Sequence, residues 1–137
     1  MTEIYNALIL IDYPGDKKRH FATMVEKQEK TIETRMKEFK YRGDLVICCG
    51  SKSKTKNSGL ALCVVNLYHV RDMVDSDRSK ACIENIPGRK AYLLKNWRYF
   101  NKKFPFSKCY ASGAYQGIFQ IRLPDDIKLS PTGGGKR

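Results

Sequence analysis

The sequence predicts an α+β fold in which about six strands curl into a small mixed β-barrel flanked by two or three helices. Three observations lead there. Short apolar runs rich in β-branched residues recur between Gly and Pro punctuation. Helical spacing shows in few places, and strands and helices do not alternate in the way that builds a parallel sheet. With 137 residues the chain suits one domain with a core of its own. Residues 1–126 are expected to form it, and residues 127–137, ending in SPTGGGKR, to be a flexible tail with little to bury.

The elements follow in order. Residues 5–13 (YNALILIDY) form an apolar run closed by Pro14 and Gly15, a largely buried first strand. Asp16 is placed to cap a helix. Phe21, Met24, Val25 and Gln28 then keep the spacing of one helix face, which predicts an amphipathic helix over 17–28. A short charged strand over 31–35 comes next. After a turn near Tyr41 to Gly43, residues 45–49 (LVICC) read as a central strand.

The connection 50–59 (GSKSKTKNSG) is either a solvated hairpin loop or a Gly- and Ser-rich approach to an anion. It lacks the GK[ST] ending of a Walker loop. Residues 59–70 return as a long strand, bent or bulged. Ser76 or Asp77 starts a short helix through Glu84, which ends before Pro87 and Gly88. Strands over 91–100 and 117–123 flank an irregular segment, and Pro124 closes the last one.

Composition restricts the function classes. Lys and Arg number 26 against 14 Asp and Glu, a formal net charge of +12. Between Glu84 and Asp125 no acid occurs, whereas eight bases and nine of the fifteen aromatics fall there. Such interleaving suits a phosphate backbone with stacked bases, and the aromatics equally suit a β-rich core. No apolar run approaches the ~20 residues of a membrane span, and the first residues lack the basic start of a signal peptide, so a cytoplasmic or nuclear monomer is expected. The five cysteines form no CxxC pair and read as small buried hydrophobes. His69 reads as a core or rim residue and His20 as an exposed one; neither has a nucleophilic partner. No metal and no cofactor are expected.

Residues 30–35, KTIETR, carry the sharpest signal. On a strand, Thr31, Glu33 and Arg35 share one face and Ile32 and Thr34 the other. Glu33 and Arg35 then lie roughly 7 Å apart along the strand. They either hold two edges of a planar polar ligand or pair with each other.

The same residues carry a family resemblance. The order of a strand ending in a Pro turn, a helix, KTIETR, an RG turn, an apolar strand and a Gly-Ser-Lys loop resembles the ASCH domain, a relative of the PUA RNA-binding fold. The later run YLLKNWRYFNKKFPFSKCYASGAYQGIFQI matches the family's order through Asn96, Arg98, the segment Phe104 to Phe106, Gly117 and Phe119. The resemblance covers most of residues 8–124. It implies a PUA-like barrel with a ligand cleft between barrel and first helix, lined by Lys30, Glu33 and Arg35 with Ser51 and Lys52 as neighbours. One family branch hydrolyses acylated cytidine with a nucleophilic Thr, but this chain has Glu33 at that position, which cannot supply a hydroxyl.

The resulting expectation is a nucleic-acid-binding module, RNA being the expected partner and a single-stranded or modified base the ligand. Its site is expected to comprise Lys30, Glu33, Arg35, Ser51, Lys52, Lys54, Trp97 and Arg98. In that site the lysines neutralise phosphate and Trp97 or Tyr99 stacks on a base. The alternative is a small hydrolase of RNA or modified nucleosides, with Glu33 as general base for water.

Overall fold

A computed structural model of the chain describes residues 3–130. Within it β1 (Ile4–Leu10) leads through a short 3-10 turn (Lys17–Arg19) to α1 (Phe21–Glu26) and the brief β2 (Ile32–Arg35). Next come β3 (Gly43–Cys49), β4 (Leu60–Asp72), a 3-10 turn (Asp75–Asp77) and α2 (Arg78–Ala81). A long β5 (Lys90–Pro105), a 3-10 turn (Phe106–Cys109), β6 (Tyr110–Ser112), β7 (Phe119–Arg122) and β8 (Leu129–Ser130) complete the order.

All eight strands belong to one sheet in the order β2-β5-β4-β3-β1-β7-β6, with β8 also on β5. β1 and β3 are parallel, and the remaining pairs are antiparallel. The fold is thus α+β and mostly sheet, but the expected barrel is not closed by backbone pairing: β2 and β6 end the path unpaired with each other. The sheet nevertheless curls. β2 stands four places from β1 in the order, yet Arg35 Nη2 donates to Ile9 O of β1 at 2.8 Å. A side chain spans the gap where a barrel would have a ladder.

Two apolar layers cover the two faces. Leu8, Leu45, Ile47, Leu62, Val65, Leu67 and Tyr92 pack with Ala22 and Val25 of α1, while Val46, Val64, Phe100, Phe104, Phe119 and Ile121 form the second layer. The continuous apolar run of β3 follows from this, since both of its faces are buried. Cys48, Cys49 and Cys63 are buried as small hydrophobes, whereas Cys82 and Cys109 are half-buried.

Several boundaries differ from the sequence expectation. The helix expected over 17–28 is split. Asp16 does accept from Lys18 N at 3.2 Å, but His20 leaves helical geometry and bridges Asp12, and Gln28 takes a positive φ of 65°. His20 is half-buried, not exposed, and His69 is exposed. β4 is bulged as expected, its register against β5 shifting between Ala61 and Cys63, Val64 and Asn66, and Leu67 and His69. Asp77 does not cap α2; its carboxylate takes the Arg71 guanidinium at 2.8 and 2.9 Å and Val74 N at 2.9 Å. The segment expected as a tail begins inside the fold: Ile127 is buried, and Leu129 and Ser130 pair with Phe100 and Tyr99. Residues 131–137 lie outside the described residues.

Candidate functional site

The gap between β2 and β1 is a cavity of about 280 Å³ lined by Ile9, Leu10, Ile11, Tyr13, Phe21, Lys30, Glu33, Thr34, Arg35, Ile83 and Arg89. β2 positions its polar residues. Among the described residues it pairs only with β5, through Ile32 to Leu93 and Arg35 to Lys90, so its other edge is left facing the gap. Ile32 anchors the strand in a small cluster with Met73, Ala81 and Ala91.

Lys30 is 1% exposed although it bears an ammonium. Its Nζ donates to Ala81 O, lies 3.6 Å from Glu33 Oε1 and stands 4.8 Å from the centre of the Phe21 ring. Burial pushes its pKa below the ordinary lysine value, against the upward pull of the Glu33 carboxylate. Glu33 is 8% exposed and accepts one hydrogen bond, from Arg35 Nε to Oε2 at 2.9 Å. At 3.6 Å the Lys30 contact is an ion pair but too long for a hydrogen bond, so Oε1 keeps acceptor capacity toward the cavity.

Arg35 spends Nε on Glu33 and Nη2 on Ile9 O. Arg89 adds a second guanidinium at the rim, held by Nε to Thr34 Oγ1 at 2.9 Å and Nη2 to Thr34 O at 2.8 Å. Tyr13 and Phe21 form an aromatic wall, edge to face at 5.9 Å, with Arg19 lying 4.1 Å over the Tyr13 ring. The site therefore offers one carboxylate acceptor, two guanidinium edges, a buried ammonium and a corner of two nearly perpendicular aromatic rings. That set matches a planar ligand carrying both donors and acceptors.

Lys30, Glu33 and Arg35, the motif residues, are brought together in this cavity. The other expected site residues are not. Ser51, Lys52 and Lys54 are exposed on the β3–β4 loop and do not line it. Trp97 is 8% exposed, and its Nε1 donates to Val25 O at 2.7 Å, which makes it a strut between β5 and α1 and leaves no face for a base. Arg98 is engaged elsewhere, forked on Asp44 at 2.9 and 2.6 Å; the Arg98 hydrogen bonds hold the Asp44 carboxyl below its usual range. Arg89, Tyr13 and Phe21 were not expected at the site. Their signals were faint: Arg89 follows a Pro-Gly turn, and Tyr13 and Phe21 bracket the Pro14–Gly15 break.

The β3–β4 loop has a structural role beside the cavity. Asp12, fully buried, accepts from Thr23 N at 3.0 Å, Thr23 Oγ1 at 2.5 Å and Thr55 Oγ1 at 3.0 Å, and its own N–H donates to Ser53 Oγ. Asn57 donates to Thr23 Oγ1 and to Glu26 Oε1 and accepts from Lys103 Nζ at 2.8 Å. Lys103 also lies 2.7 Å from Glu26 Oε2, near enough for charge pairing although outside hydrogen-bond angles. The loop is thereby locked to the segment that carries Tyr13 and Phe21. Among known proteins, no family model matches this chain, and no curated protein matches it.

Proposed function

We propose that this protein binds single-stranded nucleic acid, RNA in the first place, and holds one base in the cavity between β1 and β2. The observation that carries the reading is Glu33: a nearly buried carboxylate with one oxygen not hydrogen-bonded among the described residues, flanked by Lys30 and Arg35 beside the Tyr13 and Phe21 rings. Glu33 Oε1 accepts from an exocyclic amine or ring N–H, and Arg35 and Arg89 face carbonyl or phosphate oxygens. A cavity of about 280 Å³ lies just under the range of drug-sized pockets, which suits one nucleoside better than a larger ligand. The resemblance to ASCH domains, with the PUA-like barrel that it implies, supports the same reading. So does the net charge of +12, which favours an anionic partner.

Fluorescence anisotropy with a labelled single-stranded RNA tests it. Glu33→Gln keeps the shape and removes the charge, and it is expected to weaken binding about 10-fold, as the loss of a charge-assisted hydrogen bond does. Wild-type affinity is expected to fall steeply with salt. Salt-insensitive binding would end the nucleic-acid reading, and binding unchanged by Glu33→Gln would end the placement of a base in the cavity.

A second reading, hydrolysis of RNA or an acylated nucleoside, has one observation in its favour. Burial lowers the pKa of Lys30 beside a carboxylate able to serve as base for water. Among the described residues no threonine hydroxyl stands ready as nucleophile, since Thr34 Oγ1 is held by Arg89 and Thr31 does not line the cavity. Incubation with acylated cytidine and labelled RNA decides it; two unchanged substrates remove the reading.

A further inference from the structure

The chain leaving β2 runs directly from the cavity to a second polar and aromatic surface. After Arg35 the segment 36–42 packs Phe39 edge to face on Tyr92 at 5.8 Å, and a Cβ on Gly117 would meet the Phe39 ring at 3.6 Å. The turn 113–118 therefore lies against the segment that begins at the cavity. Between them is a groove of about 480 Å³ lined by Lys37, Phe39 and Lys40 on one side and Ala114, Gly117 and Ile118 on the other.

Beyond the turn two rings stand in solvent. Tyr110 is 47% and Tyr115 42% exposed. They are edge to face at 5.5 Å and are not loose: Tyr115 rests on Phe119 at 4.8 Å and on Phe106 at 5.6 Å, and the Tyr110 hydroxyl donates to Gly113 O at 2.5 Å. The turn that sets them needs Gly113, whose φ of 93° and 2.8 Å approach to Phe119 Cα exclude a side chain. Tyr110 also lines a second, separate groove of about 310 Å³ together with Lys108 and Arg122.

Lys37, Lys40, Lys108 and Arg122 are all exposed and make no ion pair among the described residues. The acid that lines these grooves, Glu38, is held by Arg42 at 3.2 Å. Uncompensated cations on either side of a pair of rigid exposed rings complement a chain of phosphates and bases.

We infer that this strip, from Lys37 through Tyr115 and Tyr110 to Arg122, is a sequence-tolerant track for the nucleotides next to the one in the cavity. The inference rests on the cavity reading above and extends it: the ligand is a single-stranded polynucleotide of several residues, not a free nucleoside. Tyr110 and Tyr115 each stack one base, and the four cations follow the backbone.

The test is anisotropy of the full chain with a labelled single-stranded 12-mer. The Tyr110→Leu/Tyr115→Leu pair keeps apolar cover over Phe106 and Phe119 and is expected to weaken binding about 10- to 100-fold. Lys40→Gln and Arg122→Gln, at exposed positions that spare the core, are each expected to reduce the slope of log affinity against log salt by about 0.7. Glu33→Gln is run alongside. Loss of affinity in the Tyr pair, whatever Glu33→Gln does, supports the track; if Glu33→Gln alone is silent, the track stands and the cavity reading falls. Wild-type affinity in the Tyr pair together with loss in Glu33→Gln overturns the track and leaves the cavity. Equal affinity of the wild type for an acidic polypeptide overturns it too, since charge alone would then explain the binding.

Discussion

Lys30 is the residue on which the cavity's electrostatics turn. Its ammonium gives up water for one backbone carbonyl, one carboxylate and the face of Phe21, and desolvation outweighs the attraction of Glu33. The folded chain thus binds this proton less readily than the unfolded chain does. Between the two pKa values the unfolded state carries more protons, so the lysine's contribution to stability grows as pH rises through that window. Denaturant unfolding of wild type and Lys30→Met at stepped pH is expected to show their difference moving in favour of the wild type toward alkaline pH. A pH-independent difference would show that Lys30 is not shifted. Trp97, the single tryptophan and nearly buried, reports the transition. The spacing of Lys30, Glu33 and Arg35 was legible in the chain because a strand's two-residue period is local. The burial of Trp97 was not, because Asn96 takes a φ of 59° and the register of β5 shifts beside it, which breaks simple alternation.

At the scale of elements, the loop between β3 and β4 reads as polar and basic yet keeps a buried interior. Ser53 and Asn57 turn inward to Asp12 and the end of α1, while Lys52, Lys54 and Lys56 point outward. Asp12 is the hub, and removing its carboxylate leaves Thr23 N–H and two hydroxyls without their acceptor. Asp12→Ala is expected to cost about 2–4 kcal/mol, since each buried donor left unmet carries a penalty of about 1–3 kcal/mol. Faster hydrogen exchange across residues 51–58 should accompany the loss; exchange at the wild-type rate would mean that the loop is held by other contacts. The lysines of this loop were visible in the sequence, but its anchoring was not. Asp12 and Thr55 are separated by forty-three positions, and only the pairing of β1 with β3 brings them together.

For the molecule as a whole, the sheet order and the charge act together. β2, second among the strands in sequence, docks at an edge beside β5, and the crossover between β1 and β3 carries α1 and β2 out of the ladder. That excursion opens the cavity. With a formal net charge of +12, the folded chain repels itself, and screening is expected to relieve it. Thermal melting at low and at physiological ionic strength should therefore show a higher midpoint with salt, while the proposed binding of nucleic acid is expected to weaken. A melting midpoint that does not rise would mean that self-repulsion does not limit the stability of the folded chain. The amino-acid sequence by itself determined the α+β class, the strand-rich pattern, the basic character and the shared face of Glu33 and Arg35, because composition and short-range periodicity depend on neighbours in the chain. Only the tertiary structure decided that the sheet stays open at β2, that Arg35 spans the opening to Ile9, that Arg89, Tyr13 and Phe21 join the cavity, and that Trp97 and Arg98 serve the scaffold. Those outcomes depend on strand order and register, which bring distant residues to one place, and no local pattern encodes them.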